Sequence, residues 1–127
     1  SIPQPKGDKP SPIANGEDYK AYLLVKKLLK DYAYEDEIQY TSFKSYFTIN
    51  KYGSVWRWIV RIKRAAGKVK VCFPMEDYKS NEWVILDKIE DLTNMQDRLI
   101  QSLKIASFEK YHYTAVKHEK TANKPQV

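Results

Sequence analysis

Five cations recur through one short stretch of the chain: Arg57, Arg61 and Lys63, then Lys68 and Lys70 beyond Ala65-Ala66-Gly67. In an extended segment, side chains at every second position share one side. A side carrying only guanidinium and ammonium groups attracts polyanions, because phosphates supply the missing negative charge. Residues 38–75 contain eight Lys or Arg and no Asp or Glu, whereas residues 1–37 and 76–127 each carry a net charge of −1. The chain's net +6 therefore originates in its central third.

The pattern around Gly67 sets the register of a hairpin, since a slip by one residue would move every side chain to the opposite side. A two-residue turn at Ala66-Gly67 places Ile62 opposite Val71, Val60 opposite Phe73, Lys63 opposite Lys70 and Arg61 opposite Cys72. A three-residue loop would set Ile62 against Lys70. The even loop is preferred, and with it Arg57, Arg61, Lys63, Lys68 and Lys70 emerge together on the side away from the core. Directly opposed like charges cost a sheet pair up to about 1 kcal/mol, which makes an uncompensated basic face a candidate for contact with nucleic-acid backbone. Two blander readings stand beside it: a solvated face, with lysines guarding an exposed edge, and a surface for an acidic protein partner.

Other chemistry-bearing residues point less far. Trp56 and Trp58 are expected in the core, two apart on the side of Val60 and Ile62. Tyr34, Tyr40, Tyr52 and Tyr78 could stack bases but equally suit a half-buried rim. His112 and His118 lack the spacing of a helical metal pair. The single cysteine, Cys72, excludes an intramolecular disulfide and a Cys-based zinc cluster. No phosphate loop or nucleophile elbow is present. A metal-dependent nuclease needs carboxylates converging from strands, and the segment from Ile38 to Phe73 has none. Glu76, Asp77 and Glu82 read as a solvated loop. The expectation is a domain that is no enzyme by itself and needs no cofactor or metal.

The elements that must position the basic face follow from periodicity. Asn15 is a candidate helix N-cap, with Glu17 and Asp18 in the first turn. Tyr22, Val25, Leu29 and Tyr32 then recur at helical spacing, predicting a helix that ends near Asp31 or Tyr32. Strands are predicted around Ile38–Tyr40, Tyr46–Ile49, Val55–Lys63, Val69–Phe73 and Trp83–Leu86, with a turn at Asn50-Lys51-Tyr52-Gly53. Asp87 and Glu90 have capping-box spacing ahead of a second helix. Its stripe of Ile89, Leu92, Gln96, Leu99 and Leu103, widened by Met95 and Ile100, extends to about Lys110. The fold class is therefore α+β: an antiparallel sheet of four to five strands with both helices packed on one face.

With 127 residues, 43% of them hydrophobic, the chain supports one modest core. The expected organisation is a flexible tail over residues 1–14, one domain over 15–110, and a second tail over 111–127. The tails are too polar to offset the entropy of ordering them. No apolar run reaches the roughly 20 residues of a membrane span, and Ser1 to Pro12 lacks the apolar stretch of a secretory signal. The missing initiator Met suggests a processed chain or a piece of a larger parent. A reducing cytoplasm fits the lone cysteine.

Tyr46-Phe47-Thr48-Ile49-Asn50 followed by Trp58-Ile59-Val60-Arg61-Ile62 resembles a recurring Y-F-x-I … W/P-I-x-R-(I/L) pattern. It belongs to the C-terminal domain of bacterial endonuclease-like proteins whose N-terminal part resembles the nuclease domain of type I restriction enzyme R subunits. The helix Tyr19 to Leu29, with its Leu-Val-Lys-Lys-Leu-Leu core, and Ile89-Glu90-Asp91-Leu92 are similar to the helices of that domain. The match covers roughly residues 16–108 through mainly apolar motifs. The resemblance implies an accessory domain of a defence-related nuclease that contacts DNA or another subunit, with Arg61 as the charged position of the pattern. The nuclease core itself lies outside this chain, so the cleaving activity does not carry over.

Overall fold

The structure is a computed structural model and describes residues 16–77 and 80–107. The N-cap candidate Asn15, Tyr78, both histidines and the two tails lie outside the described residues.

Helix α1 spans Gly16–Leu28, and its chain continues through turns to Tyr32, shorter as a helix than its apolar spacing suggests. Glu17 and Asp18 occupy the first turn and Lys26 and Lys27 the last, each sign at the dipole end that favours it. Five strands follow: β1 (Ile38–Ser42), β2 (Phe47–Lys51), β3 (Trp58–Ala65), β4 (Lys68–Pro74) and β5 (Asn81–Leu86). They form one antiparallel sheet in the order β1-β2-β3-β4-β5, so every neighbour in sequence is a neighbour in space. A 3₁₀ segment, Ile89–Met95, then leads into helix α2, Gln96–Ser107.

One side of the sheet is covered. Phe47 and Ile49 of β2, Val60 and Ile62 of β3, Val71 and Phe73 of β4 and Leu86 of β5 form one buried cluster with Val25, Leu92, Leu99 and Leu103. Both helices thus bury their apolar stripes on the same face. Tyr22 ties α1 to the first strand, its hydroxyl donating to the Ile38 carbonyl at 2.7 Å. Its ring lies within 4.8 Å of Tyr40, which stacks on Phe47. Gln96, the polar member of the second stripe, donates through Nε2 to the Leu28 carbonyl at 2.9 Å and so satisfies an otherwise open end of α1.

The β3–β4 hairpin has the register expected from its pattern. Arg61 pairs with Cys72, Ile62 with Val71 and Lys63 with Lys70, and the turn is Ala66-Gly67. Both turn residues have positive φ, 52° and 76°, the backbone hand that lets a two-residue turn follow the twist of its strands.

Two expectations fail, each for a local reason. Trp56 and Trp58 do not share the core side with Val60. β3 begins only at Trp58, and the β2–β3 register shifts so that Asn50 pairs with Trp58 while Ile49 pairs with Val60. Ile59 is the extra residue of a bulge. Ile59 and Val60 both join the helix-side core, and Trp58 turns to the opposite face. Trp56 sits in the preceding turn and is 56% exposed. The other correction concerns the start of the second helical region. Asp91, not Glu90, supplies the capping carboxylate, accepting from the backbone N–H groups of Asp87 and Lys88 at 3.2 and 3.3 Å. Glu90 pairs instead with Lys20 of α1. Lys88 replaces Asp87 as the residue flanking the helical turn, which moves the reciprocal position one residue along.

Candidate nucleic-acid interface

Alternation along each ladder places Thr41, Thr48, Asn50, Trp58, Arg61, Lys63, Lys68, Lys70, Cys72, Trp83 and Ile85 on the side of the sheet away from the helices. Among the described residues, no strand position on that side carries Asp or Glu. Three carboxylates near the sheet serve the opposite side. Asp18 of α1 binds Arg64 at 2.7 Å. Glu37 meets the buried Lys51 at 3.2 Å, and Lys51 also donates to Ser107 Oγ at 2.9 Å. Glu82 of β5 accepts from Arg98 of α2 at 2.9 Å. The eight cations of the central third are therefore divided, with Lys51 neutralised in the interior by Glu37 and Arg64 paired at the surface with Asp18 of α1.

The five residues singled out by sequence fare unequally. Arg61, Lys63 and Lys70 come together on the open face, Lys63 directly across from Lys70 and Arg61 one step away across from Cys72. Among the described residues, none of these three reaches a carboxylate. Lys68 shares the face, but its ammonium is held by Asp87 Oδ1 at 2.6 Å, which raises its pKa and lowers that of the carboxyl. Arg57 does not belong to the strand face. It lies half-buried in the turn before β3, its carbonyl accepting from the Lys51 N–H at 2.9 Å.

Arg61 has the most developed surroundings. Its guanidinium carbon stands 4.6 Å from the centre of the Tyr46 ring and 4.9 Å from that of Trp58. Two aromatic faces thus take the place of a carboxylate, each cation–π contact contributing about 0.5–1 kcal/mol. Burial lowers the pKa of this group, with Tyr46 and Cys72 opposing the shift. Its Nε, together with Thr48 Oγ1 and Asn50 Oδ1 behind it, is enclosed without a hydrogen-bond partner among the described residues. Asn50 Nδ2 donates to Thr41 Oγ1 at 3.1 Å. Burial also pushes the Cys72 thiol up to about 11, against the opposing pull of Arg61 and Arg98. A thiol so placed is neither a nucleophile nor a redox handle near neutral pH.

Sequence reasoning predicted the outer strand but missed its exposed apolar pair. Trp83 and Ile85 of β5 are 51% and 64% exposed, side by side on the open face, with Trp83 paired to Cys72 and Ile85 to Lys70. The signal was weak, since Trp83, Val84, Ile85 and Leu86 are apolar on both sides of the strand and betray no preferred face. At the other end of the array, a cleft of about 470 Å³ is lined by Lys44, Tyr46, Lys63, Arg64 and Asp18 among others.

Glu76, Asp77 and Glu82 do not converge. Glu76 accepts from Gln101 at 3.2 Å, Asp77 from Ser80 at 2.7 Å, and Glu82 from Arg98. Among the described residues no group of three His, Cys, Asp or Glu is placed to hold a metal, and no helix is long and apolar enough to cross a membrane. No family model, curated protein or solved structure matches the chain.

Proposed function

We propose that this chain is a non-catalytic module that binds nucleic-acid backbone through the open side of its sheet, as an accessory domain of a restriction- or defence-type nuclease. The observation that carries the reading is Arg61, a partly desolvated guanidinium braced by two rings with no carboxylate in reach among the described residues, beside the opposed pair Lys63 and Lys70. Desolvating a cation is costly unless an anion compensates it. A phosphate oxygen meeting Arg61 would make a charge-assisted hydrogen bond of the stronger kind. Such contacts position a backbone without reading its sequence. The nuclease context rests on the resemblance of the Tyr46–Asn50 and Trp58–Ile62 segments, and the lone cysteine supports a cytoplasmic, reducing setting.

The test is affinity for a DNA oligonucleotide across a salt series. Three phosphate contacts give a log–log slope of about −3, and Lys63→Ala and Lys70→Ala each reduce it by about one. A flat response, or no binding at low salt, removes the reading. A competing reading, dimerisation through the unpaired edge of β5, draws on the exposed Trp83 and Ile85. Light scattering separates the two: a stable dimer indifferent to DNA favours the edge.

A further inference from the structure

The exposed pair on β5 adds a chemistry that phosphate binding alone does not use. Trp83 is half-exposed and, among the described residues, makes no ring contact. It differs in this from Trp58, which is 4% exposed and committed to Arg61. Ile85 stands next to it on the same face and leads directly across to Lys70 and then Lys63. Beyond Lys63, toward β2, come Tyr46 and the basic cleft with Lys44. An open aromatic surface, two lysines free of carboxylates and a basic cleft thus follow one another across four strands, a span of roughly 14 Å at about 4.8 Å per strand.

We propose that this track holds a single nucleic-acid strand, with Trp83 stacking an unpaired base and Lys70 and Lys63 holding the phosphates that flank it. The inference rests on the basic-face reading and specifies its ligand. In a duplex the base faces are already stacked on one another, so an indole on a broad five-stranded sheet has nothing to stack upon. An unpaired base offers its face, whatever its identity. Charge selects the same occupant, since among the described residues no strand position on this side carries a carboxylate to repel a phosphate.

The experiment uses the full chain and three labelled probes of equal length, read by fluorescence anisotropy: an oligothymidine strand, an abasic deoxyribose-phosphate strand, and a duplex. The thymidine strand is expected to bind about tenfold or more tighter than the abasic one, which has the same backbone charge. Trp83→Ala should bring it down to the abasic level while leaving the abasic strand unchanged. Trp83→Tyr, which keeps a ring at the position, should restore most of the difference and controls for folding. Equal affinity for thymidine and abasic strands, tighter binding of the duplex, or a Trp83→Ala effect shared by all three probes overturns the stacking proposal and leaves the basic-face reading standing. Absence of binding to every probe overturns both.

Discussion

The two sides of this sheet handle positive charge in opposite ways. Beneath the helices, Lys51, Arg64 and Arg98 each meet a carboxylate, Glu37, Asp18 and Glu82 respectively. On the open side, Arg61 is braced by Tyr46 and Trp58, while Lys63 and Lys70 face each other across a strand pair. Asp87 holds Lys68 at the margin of the open side, while Glu37, Asp18 and Glu82 are drawn into pairs on the helix side. Lys51, which is shut from water, must be matched, whereas Arg98 is partly and Arg64 largely accessible. On the other side Lys63 is exposed and remains unmatched at small cost, while Arg61 is partly desolvated and relies on its two rings.

The comparison can be broken first at its apolar base. Leu99 of α2 is fully buried in the helix-side core, so Leu99→Ala should lower unfolding free energy by about 2–5 kcal/mol in urea titrations. Ile85→Ala, on the open side, should stay within about 0.5 kcal/mol. A comparable loss at Ile85 would mean that the open side is as much a core as the other. A sharper contrast comes from the arginines. Arg98 donates to Glu82, Ser102 and the Pro74 carbonyl and lies 4.7 Å from the centre of the Phe73 ring. Arg98→Ala should cost about 2 kcal/mol or more. Arg61→Met keeps the apolar stem, relieves a desolvated charge and should be neutral within about 1 kcal/mol, while weakening binding to polyanions. An equal cost at both positions would erase the distinction between them.

The hairpin that sets the open face offers a gain rather than a loss. Ala66 occupies a positive-φ position where Asn is better tolerated. Ala66→Asn should stabilise the fold by about 0.5–1 kcal/mol, measured by thermal unfolding. The smallest effect concerns the one open-face lysine that is paired. Hydrogen bonding from Lys68 lowers the Asp87 pKa below the ordinary carboxylate range. A lowered folded-state pKa contributes stability that is present above the unfolded value and is lost as pH falls through the folded one. Lys68→Ala should therefore return the Asp87 titration to its ordinary range in carboxyl NMR, with a slight flattening of the acid limb of stability. An unchanged Asp87 titration would show that the pair is not maintained in solution.

Much of this was legible beforehand. The helix, five-strand, helix order and the Arg61–Cys72, Ile62–Val71 and Lys63–Lys70 pairings followed from alternation, because a sheet with one buried side leaves a single consistent register. The grouping of Lys63, Lys68 and Lys70 with Arg61 followed from the same rule. What escaped was whatever alternation cannot encode. The bulge at Ile59 lies inside a run, Trp58 to Val60, that is apolar throughout and so gives no sign of slipping. Arg57 was misplaced with it. The pairing of Lys68 with Asp87 joins residues nineteen apart around the end of β5, and the burial of Lys51 depends on Ser107, fifty-six residues away. Long-range partners of this kind have no periodic signature.

The extra residue in β3 also resets the odd–even rule for anyone altering this protein. From Val60 to the end of β3, even-numbered positions look toward the helices; at Trp58 the parity is inverted, so the same swap made two residues apart strikes opposite sides of the sheet. Excising Ile59 would straighten the strand, drive the Trp58 indole under the helices and strip Arg61 of one of the two rings that hold it flat.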